Sequence, residues 1–358
     1  MSLSFLPDDE VLGGAMPVTE ASQVGEARRW VVQSSRRLGF DETTAGKVAI
    51  VATEMAGNLV KHAGGGEIVV RRLADGAAKG LEILALDSGP GIDDVARSLR
   101  DGYSTAGSPG TGLGAIARLS DLFDLWSAPG QGTALLARLW PKAAGAAGPQ
   151  EDDRPTEHGA VCLAVAGETA PGDGWEIQHR PRGWRLLVAD GLGHGPFARE
   201  PSLRAIEVFR EAPPDVAPVR VLEACHAALQ GTRGAAVAVA DVDLEGGFVL
   251  YAGIGNVAGS VTAAGQAQHL VSFNGIVGQG AMRAREFRYA WAPGALLVMA
   301  SDGLGTRWRL DAYPGLIARH PSLIAGVLYR DHGRRRDDIT VVASRERAGG
   351  AAAWRGAP

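Results

Sequence analysis

Acidic residues stand at the edges of three short apolar runs, and acids in such positions can bind a divalent cation. They are Asp190-Gly191 and Asp302-Gly303, each after an apolar run, and Asp337-Asp338, which precedes one. The runs are too short for ordinary helices and predict buried strands. Asp-Gly is also a common turn former, so a turn is the alternative interpretation of any single pair. Together the three acidic strand ends favour one oxygen-rich site for a hard cation such as Mg or Mn.

A second set of polar residues lies within a predicted amphipathic helix near the N-terminus. Glu54, Asn58, Lys61 and His62 fall at spacings of four, seven and eight residues, which places them along one side of that helix. Polar groups in this arrangement can converge on a ligand. The alternative is a solvated helix face, which is common in surface helices.

Glycine-rich segments follow this helix in the chain. A predicted strand ends in Asp87-Ser-Gly89-Pro-Gly91, and a later loop, residues 107–114, contains four glycines before a predicted helix. A glycine-rich loop at a helix N-terminus offers backbone amides and the positive end of the helix dipole to phosphate groups. The lysine pattern of a P-loop is absent, so a P-loop nucleotide site is excluded.

Length and patterning predict two domains. The 358 residues exceed the usual size of one domain. We predict a lead-in over 1–15, an α/β domain over 16–140, a linker over 141–157, a second domain over 158–345 and a tail over 346–358. The linker is rich in Ala, Gly, Pro and acids. Strands that flank a helical block in the second domain predict a layered β-sandwich with helices outside.

Composition excludes several classes of protein. The formal net charge is −4, and no basic cluster stands beside interleaved aromatic residues, which argues against direct nucleic-acid binding. No apolar run approaches the length of a membrane span, and the N-terminus lacks an export-signal pattern. The two cysteines have no metal-type spacing and suit a reducing compartment. We therefore predict a cytoplasmic protein without membrane association.

The first domain resembles the GHKL (Bergerat) ATPase fold of histidine kinases, gyrase and heat-shock chaperones. Four motifs in order carry the resemblance, namely Glu54-Met-Ala-Gly-Asn58, Asp87-Ser-Gly-Pro-Gly91, Gly110-Thr-Gly-Leu-Gly114 and Gly130-Gln-Gly-Thr133. The segment Asp101-Gly-Tyr103-Ser-Thr105 is similar to the RsbT type of serine kinase and switch protein. The resemblance implies an α/β sandwich that binds ATP with Mg.

It also implies roles for individual residues. Asn58 would ligate the Mg of ATP, Asp87 would accept a hydrogen bond from the adenine amino group, and Glu54 would act as the base toward a serine hydroxyl. A carboxylate one helical turn from the metal ligand can reach a nucleophile beside the γ-phosphate. The remaining ATP-binding positions implied by the resemblance are Gly89 and Gly91 in the adenine pocket, Gly110, Thr111, Gly112 and Gly114 in the phosphate lid, and Thr133.

The second domain resembles the SpoIIE and RsbX group of 2C-type metal-dependent serine/threonine phosphatases. The pattern is Asp190-Gly191-Leu-Gly-His194-Gly195, Ser301-Asp302-Gly303-Leu304 and Asp337-Asp338-Ile-Thr340. The resemblance implies that Asp190 bridges two Mn or Mg ions, that Gly191 contributes its carbonyl, and that Asp302 and Asp337 complete the first metal site. Asp338 is the alternative to Asp337, Asp173 is a secondary candidate, and His194 is a candidate general acid.

Three functions remain open at this point, and the least favoured, because of the full set of acids at strand ends, is a scaffold that binds ligands at both sites without chemistry. The first is a bifunctional partner-switch regulator that dephosphorylates phosphoserine or phosphothreonine in STAS-domain proteins of a stressosome-type circuit and phosphorylates a STAS protein with ATP. The alternative is a phosphatase alone, with residues 16–140 as an ATP-gated binding module. The sequence leaves the oligomeric state and the identity of the substrate open.

Overall fold

The computed structural model describes residues 2–3, 13–75, 78–99, 112–141 and 156–347. The segment from Asp101 to Thr105 and the loop residues Gly110 and Thr111 lie outside the described residues, as do most of the predicted linker and tail. The helices are α1 (Ala21–Arg37), α2 (Glu42–Ala63), α3 (Val95–Ser98), α4 (Gly112–Leu119), α5 (Pro196–Glu211), α6 (Pro218–Ala228) and α7 (Pro321–His332).

The strands are described in chain order. They are β1 (Ser2–Leu3), β2 (Gly14–Val18), β3 (Gly66–Asp75), β4 (Ala78–Asp87), β5 (Leu122–Ser127), β6 (Thr133–Leu139), β7 (Thr156–Leu163), β8 (Asp173–Arg180), β9 (Gly183–Gly191), β10 (Ala235–Asp243), β11 (Phe248–Ile254), β12 (Ala258–Ala263), β13 (Gln266–Leu270), β14 (Phe287–Ala290), β15 (Leu296–Ala300) and β16 (Ile339–Glu346). The contacts divide the chain into two compact units, which we call the N-terminal unit and the C-terminal unit.

The N-terminal unit is built on a five-stranded antiparallel sheet in the order β2-β3-β4-β6-β5. Helices α1 and α2 pack on one face of this sheet, with Val48, Met55 and Leu59 of α2 in the core. Local sequence fixes the ends of α2. The Asp41 side chain accepts a hydrogen bond from the Thr44 backbone at the start, and Gly64 adopts the left-handed conformation at the end. The predicted α/β fold of this domain is confirmed.

The other face of this sheet is covered by a segment from far along the chain. Ala312–Arg330 clusters with the N-terminal unit, although the sequence predicts residues 158–345 as one domain. Side chains alternate along β4, so Ile83 and Ala85 join the helical core while Leu84 and Leu86 point the other way. Gly326 of α7 lies against Leu84 and Leu86. The chain therefore leaves the C-terminal unit after Asp311 and returns to it at Asp331.

The C-terminal unit contains two antiparallel sheets. The six-stranded sheet has the order β1-β8-β9-β10-β11-β14, and the five-stranded sheet has the order β13-β12-β15-β16-β7. Leu186 and Val188 of β9 face the core shared with Leu297 and Val342 of the second sheet. Residues at the alternate positions of β9 face α5 and α6 instead. The period of two thus explains why the strand is apolar on both faces, and the predicted β-sandwich with flanking helices is confirmed.

Element boundaries differ slightly from the predicted ones. Strand β2 begins at Gly14, inside the predicted lead-in, because residues 14–18 pair with residues 66–70 of β3. Strand β7 begins at Thr156, inside the predicted linker, where it pairs with Glu346 at the end of β16. In the ranges that the structure describes, no helix combines the length and apolar character required to cross a membrane.

Candidate functional site

Three predicted metal ligands line one cleft in the C-terminal unit. Asp190 ends β9, Asp302 follows β15, and Asp337 precedes β16, and all three border a cleft of about 440 Å³. The neighbouring lining residues include Asn256 and Asn274. The fold therefore brings Asp190 together with two acids that lie more than a hundred residues further along the chain. The role of these acids as metal ligands remains a prediction.

Close backbone approach explains the glycine after two of these acids. A Cβ at Gly191 would lie 1.8 Å from the carbonyl oxygen of Ala198 in α5. A Cβ at Gly303 would lie 2.0 Å from the carbonyl oxygen of Asp338. Neither glycine has a positive φ, so a left-handed conformation does not account for glycine at these positions, although Asp302 and Gly303 do form the centre of a turn that the Leu304 N–H closes on the Ser301 carbonyl. Both glycines instead allow another segment to pack directly behind the acid.

The cleft holds its carboxylates at an electrostatic cost. Burial and the negative charges of Asp302 and Asp337 raise the pKa of Asp190 to about 7, against a hydrogen bond from the Asp302 backbone that lowers it. Burial and the charge of Asp337 also raise the pKa of Asp302, although Arg334 and a 2.6 Å hydrogen bond from the Asn256 amide offset part of this rise. A bound cation would relieve the repulsion between these acids.

The donor set suits a hard cation whose coordination is completed by other oxygens. In the described part of the chain, no group of three His, Cys, Asp or Glu side chains is placed to hold an ion alone. Carboxylates, an amide oxygen and backbone carbonyls are the ligands that Mg and Mn prefer, and Mg usually keeps several waters. The open cleft leaves room for those waters. The residues present therefore fit divalent cations with incomplete protein coordination.

Asp337 and Asp338, the two candidate ligands before β16, lie in different environments. Asp338 is almost fully buried, and its carboxylate accepts hydrogen bonds of 2.7 and 2.6 Å from the backbone N–H groups of Val165 and Gly172. Those bonds hold neighbouring loops, whereas Asp337 borders the cleft. Asp338 thus has a structural role that leaves Asp337 as the acid placed for a ligand.

Two further predicted residues stand outside the cleft lining. Asp173 is buried beside Asp190 in the β8–β9 pair and accepts a 2.6 Å hydrogen bond from the Ser301 hydroxyl, and burial with the Asp190 charge raises its pKa well above 3.8. His194 is largely exposed and lies 2.6 Å from Glu168 through Nδ1. His194 is therefore an exposed hydrogen-bond partner of Glu168, and its role as a general acid remains a prediction.

Sequence reasoning missed Asn256, which donates to Asp302 and lines the cleft. The segment Gly253-Ile-Gly255-Asn256 contains the end of β11 and the two residues after it, and it repeats the pattern of a strand that ends in glycine beside a polar residue. This pattern was the available signal. An asparagine at a strand end is a weaker signal than an acid because its side chain carries no charge to attract a cation.

In the N-terminal unit, Asp87 occupies a buried corner at the end of β4. Its Oδ1 accepts hydrogen bonds of 2.9 Å from the Gly89 N–H and 3.1 Å from the Thr133 N–H. Burial raises the pKa of Asp87, although these two bonds and the charges of Arg330 and His62 counteract the rise. One carboxylate oxygen is thus fixed by the protein, and the second accepts no hydrogen bond from the residues that the structure describes.

The predicted glycines pack around this corner. A Cβ at Gly89 would lie 2.7 Å from the Cβ of Ala63 at the end of α2. Gly91 has a φ of +77° and stands against the carbonyl of Ala128. Thr133 contributes its N–H to Asp87, while its hydroxyl lies 2.9 Å from the hydroxyl of Ser127. These residues pack near Asp87, and their contact with a nucleotide remains a prediction.

Glu54, Asn58 and Gly112 come together beside this region. Both side chains are half-buried on α2, and a Cβ at Gly112 would lie 2.8 Å from Glu54 Oε2 and 3.9 Å from Asn58 Oδ1. The N-terminus of α4 therefore approaches the carboxylate and amide directly, and Gly114 is buried within the same helix. Lys61 and His62 are exposed on the last turn of α2.

Each half of the chain matches a known protein family. The family model described as a histidine kinase-like ATPase domain matches residues 16–139, and the model described as stage II sporulation protein E (SpoIIE) matches residues 180–347. The serine/threonine-protein kinase RsbT of Bacillus subtilis (strain 168) is 40% identical over 106 residues, which cover 30% of this chain and 80% of RsbT.

Two solved structures are similar to about half of the chain. A chain from work on the bacterial stressosome is 28% identical, covers 53% of this chain and 99% of its own length, and has a TM-score of 0.49. RsbX in complex with magnesium is 21% identical, covers 54% of this chain and 96% of its own length, and has a TM-score of 0.46.

Proposed function

The chain belongs, through its N-terminal domain, to the RsbT family of serine/threonine-protein kinases and carries a SpoIIE-type phosphatase domain after it, and on this premise we propose a bifunctional partner-switch regulator. The C-terminal domain would remove phosphate from phosphoserine or phosphothreonine of a STAS-type protein. The N-terminal domain would transfer phosphate from ATP to a STAS-type protein. The observation that carries the proposal is the convergence of Asp190, Asp302 and Asp337 on one cleft.

The phosphatase half is proposed to use Mn or Mg. Asp190, Asp302 and Asp337 would hold two ions, with the carbonyl of Gly191 as a further donor. Bound ions of this kind activate water and neutralise phosphoryl oxygens. The protein's own contribution is to fix the carboxylates, and the 2.6 Å hydrogen bond from Asn256 to Asp302 orients one of them. Because acids occupy the cleft, a phosphorylated substrate would be repelled without the ions.

The kinase half is proposed to bind ATP with Mg. Asp87 would accept a hydrogen bond from the adenine amino group, since backbone groups already orient its carboxylate. Asn58 would ligate the Mg of ATP, and Glu54 would accept the proton of the attacking serine hydroxyl. The approach of Gly112 to both side chains supports a shared phosphate-binding region, because amides at a helix N-terminus favour anions.

The test follows labelled phosphate in both directions. Purified protein is incubated with candidate STAS proteins and γ-labelled ATP, and label is then followed after addition of Mn. We expect Glu54→Ala to prevent the gain of label and Asp190→Asn to prevent its Mn-dependent loss. Unchanged phosphatase turnover in Asp190→Asn would refute the metal assignment, and unchanged transfer in Glu54→Ala would refute the base assignment. No gain of label from ATP, together with Mn-dependent loss of phosphate from a STAS protein that was phosphorylated beforehand, would favour a phosphatase with an ATP-gated module.

A further inference from the structure

The segment Ala312–Arg330 is tied to the N-terminal unit by polar contacts as well as by packing. Ser322 donates a 2.7 Å hydrogen bond to Glu82 and accepts one of 3.1 Å from Arg138. The Tyr329 hydroxyl donates to Glu67 at 2.7 Å. All of these contacts lie on the sheet face opposite α1 and α2. The segment is therefore an integral structural part of the domain that would bind ATP.

Arg330 at the end of this segment reaches the strand that carries Asp87. Its Nη1 donates to the backbone carbonyl of Asp87, and its Nη2 donates to the carbonyl of Gln131 at 2.9 Å. The guanidinium carbon also lies 5.7 Å from the centre of the Trp126 ring. One planar group thus joins the end of β4 to the turn before β6, and the aromatic ring supports it from the side.

These two joined segments are the ones that orient the Asp87 carboxylate. The turn that accepts from Arg330 leads within two residues to Thr133, whose N–H donates to Asp87 Oδ1. Movement of the turn would therefore displace the Thr133 N–H that donates to the Asp87 carboxylate. Loss of the Arg330 bond to the Asp87 carbonyl would also release the backbone of Asp87. We propose that Arg330 is a positioning residue for nucleotide recognition, supplied to the ATP-binding domain by a segment that lies within the phosphatase sequence. This inference rests on the proposed binding of adenine by Asp87.

The test measures base selectivity in the full chain. Titration calorimetry compares a non-hydrolysable ATP analogue with the corresponding GTP analogue, both with Mg. A carboxylate that accepts from the adenine amino group discriminates against guanine, which carries an oxygen at that position. We expect Arg330→Met to weaken ATP binding by roughly tenfold, as expected for charge-assisted hydrogen bonds, and to reduce the ATP to GTP affinity ratio.

Conservative and control variants separate positioning from folding. Arg330→Lys keeps the charge without the planar fork, so we expect an intermediate ratio. Arg319→Met removes a half-exposed arginine of the same segment, which pairs with Asp124 at 3.3 Å, and should leave both affinities unchanged. An ATP to GTP affinity ratio in Arg330→Met that equals the wild-type ratio, with or without equally weakened binding of both nucleotides, would overturn the inference. Absence of ATP binding by the wild-type chain would instead refute the proposed function, and the inference with it.

Discussion

Removal of one carboxylate from the acidic cleft should stabilise the metal-free protein while abolishing its phosphatase activity. Burial and the charges of Asp302 and Asp337 raise the pKa of Asp190 from 3.8 to about 7. At about 1.4 kcal/mol per pH unit, the ionised carboxylate costs the folded state up to roughly 4 kcal/mol above neutral pH. An amide at this position also loses hydration on burial. We therefore expect Asp190→Asn to raise the free energy of unfolding of the metal-free protein by about 1–3 kcal/mol.

The sign of the pH dependence follows from the direction of this shift. Because the folded-state pKa lies above the unfolded value, the penalty is absent below about pH 4, grows as the pH rises, and is complete above about pH 7. Denaturant unfolding in EDTA should therefore show a stability difference between variant and wild type that widens over this range. The exposed Glu200 provides a control, since Glu200→Gln removes a charge away from the cleft.

Addition of Mn should make the wild type more stable than Asp190→Asn. Binding to the folded state stabilises the wild type by mass action, whereas Asp190→Asn lacks a ligand and should gain little. Differential unfolding with and without Mn measures this change, and phosphatase turnover is measured in parallel. A metal-free Asp190→Asn protein that unfolds at the same or lower denaturant concentration than the wild type at pH 8 would refute the repulsion argument.

Three further predictions concern packing, a buried ion pair and an exposed histidine. Gly191→Ala should cost about 1–3 kcal/mol or more in denaturant unfolding because its Cβ would meet a backbone carbonyl, whereas Gly46→Ala, with no atom within 4 Å, should not destabilise. Glu82→Gln should cost about 3–5 kcal/mol by removing the carboxylate that pairs with the buried Arg138 and the partly buried Arg71. In the wild type the ion pairs lower the Glu82 pKa despite burial, so this contribution is present above about pH 4.5 and declines in acid unfolding. His194→Ala should retain phosphatase turnover with an unshifted pH profile, since that side chain lies outside the cleft lining.

Patterns within single segments predicted most of the elements. The helical block predicted in the second domain is observed as Pro196–Glu211 and Pro218–Ala228, because apolar periodicity and the proline at each start define these helices locally. The strand that ends at Asp190 was equally clear, since its apolar run is short and stops at a glycine. The ends of β2 and β7 were harder to place because pairing with a distant strand, and not local composition, sets them.

The candidate residues show the same division. The sequence identified Asp190, Asp302 and Asp337 as acids at strand ends, but their presence on one cleft follows from the order of strands in two sheets. The choice between Asp337 and Asp338 depended on which carboxylate faces the Val165 and Gly172 backbone. Adjacent residues of an extended chain point in opposite directions, so Asp338 faces those N–H groups while Asp337 borders the cleft, and the role of Asp337 as a ligand remains a prediction.

The sequence by itself determined the two domain types, the polar residues available to each site, and the strands and helices that carry them, because these depend on residue types at short spacing. Only the tertiary structure decided that Ala312–Arg330 packs in the N-terminal unit and brings Arg330 to the backbone of Asp87. The segment reads locally as another helix of the second domain. Its buried neighbours are more than a hundred residues away in the chain, and only close packing of complementary surfaces specifies such a partner.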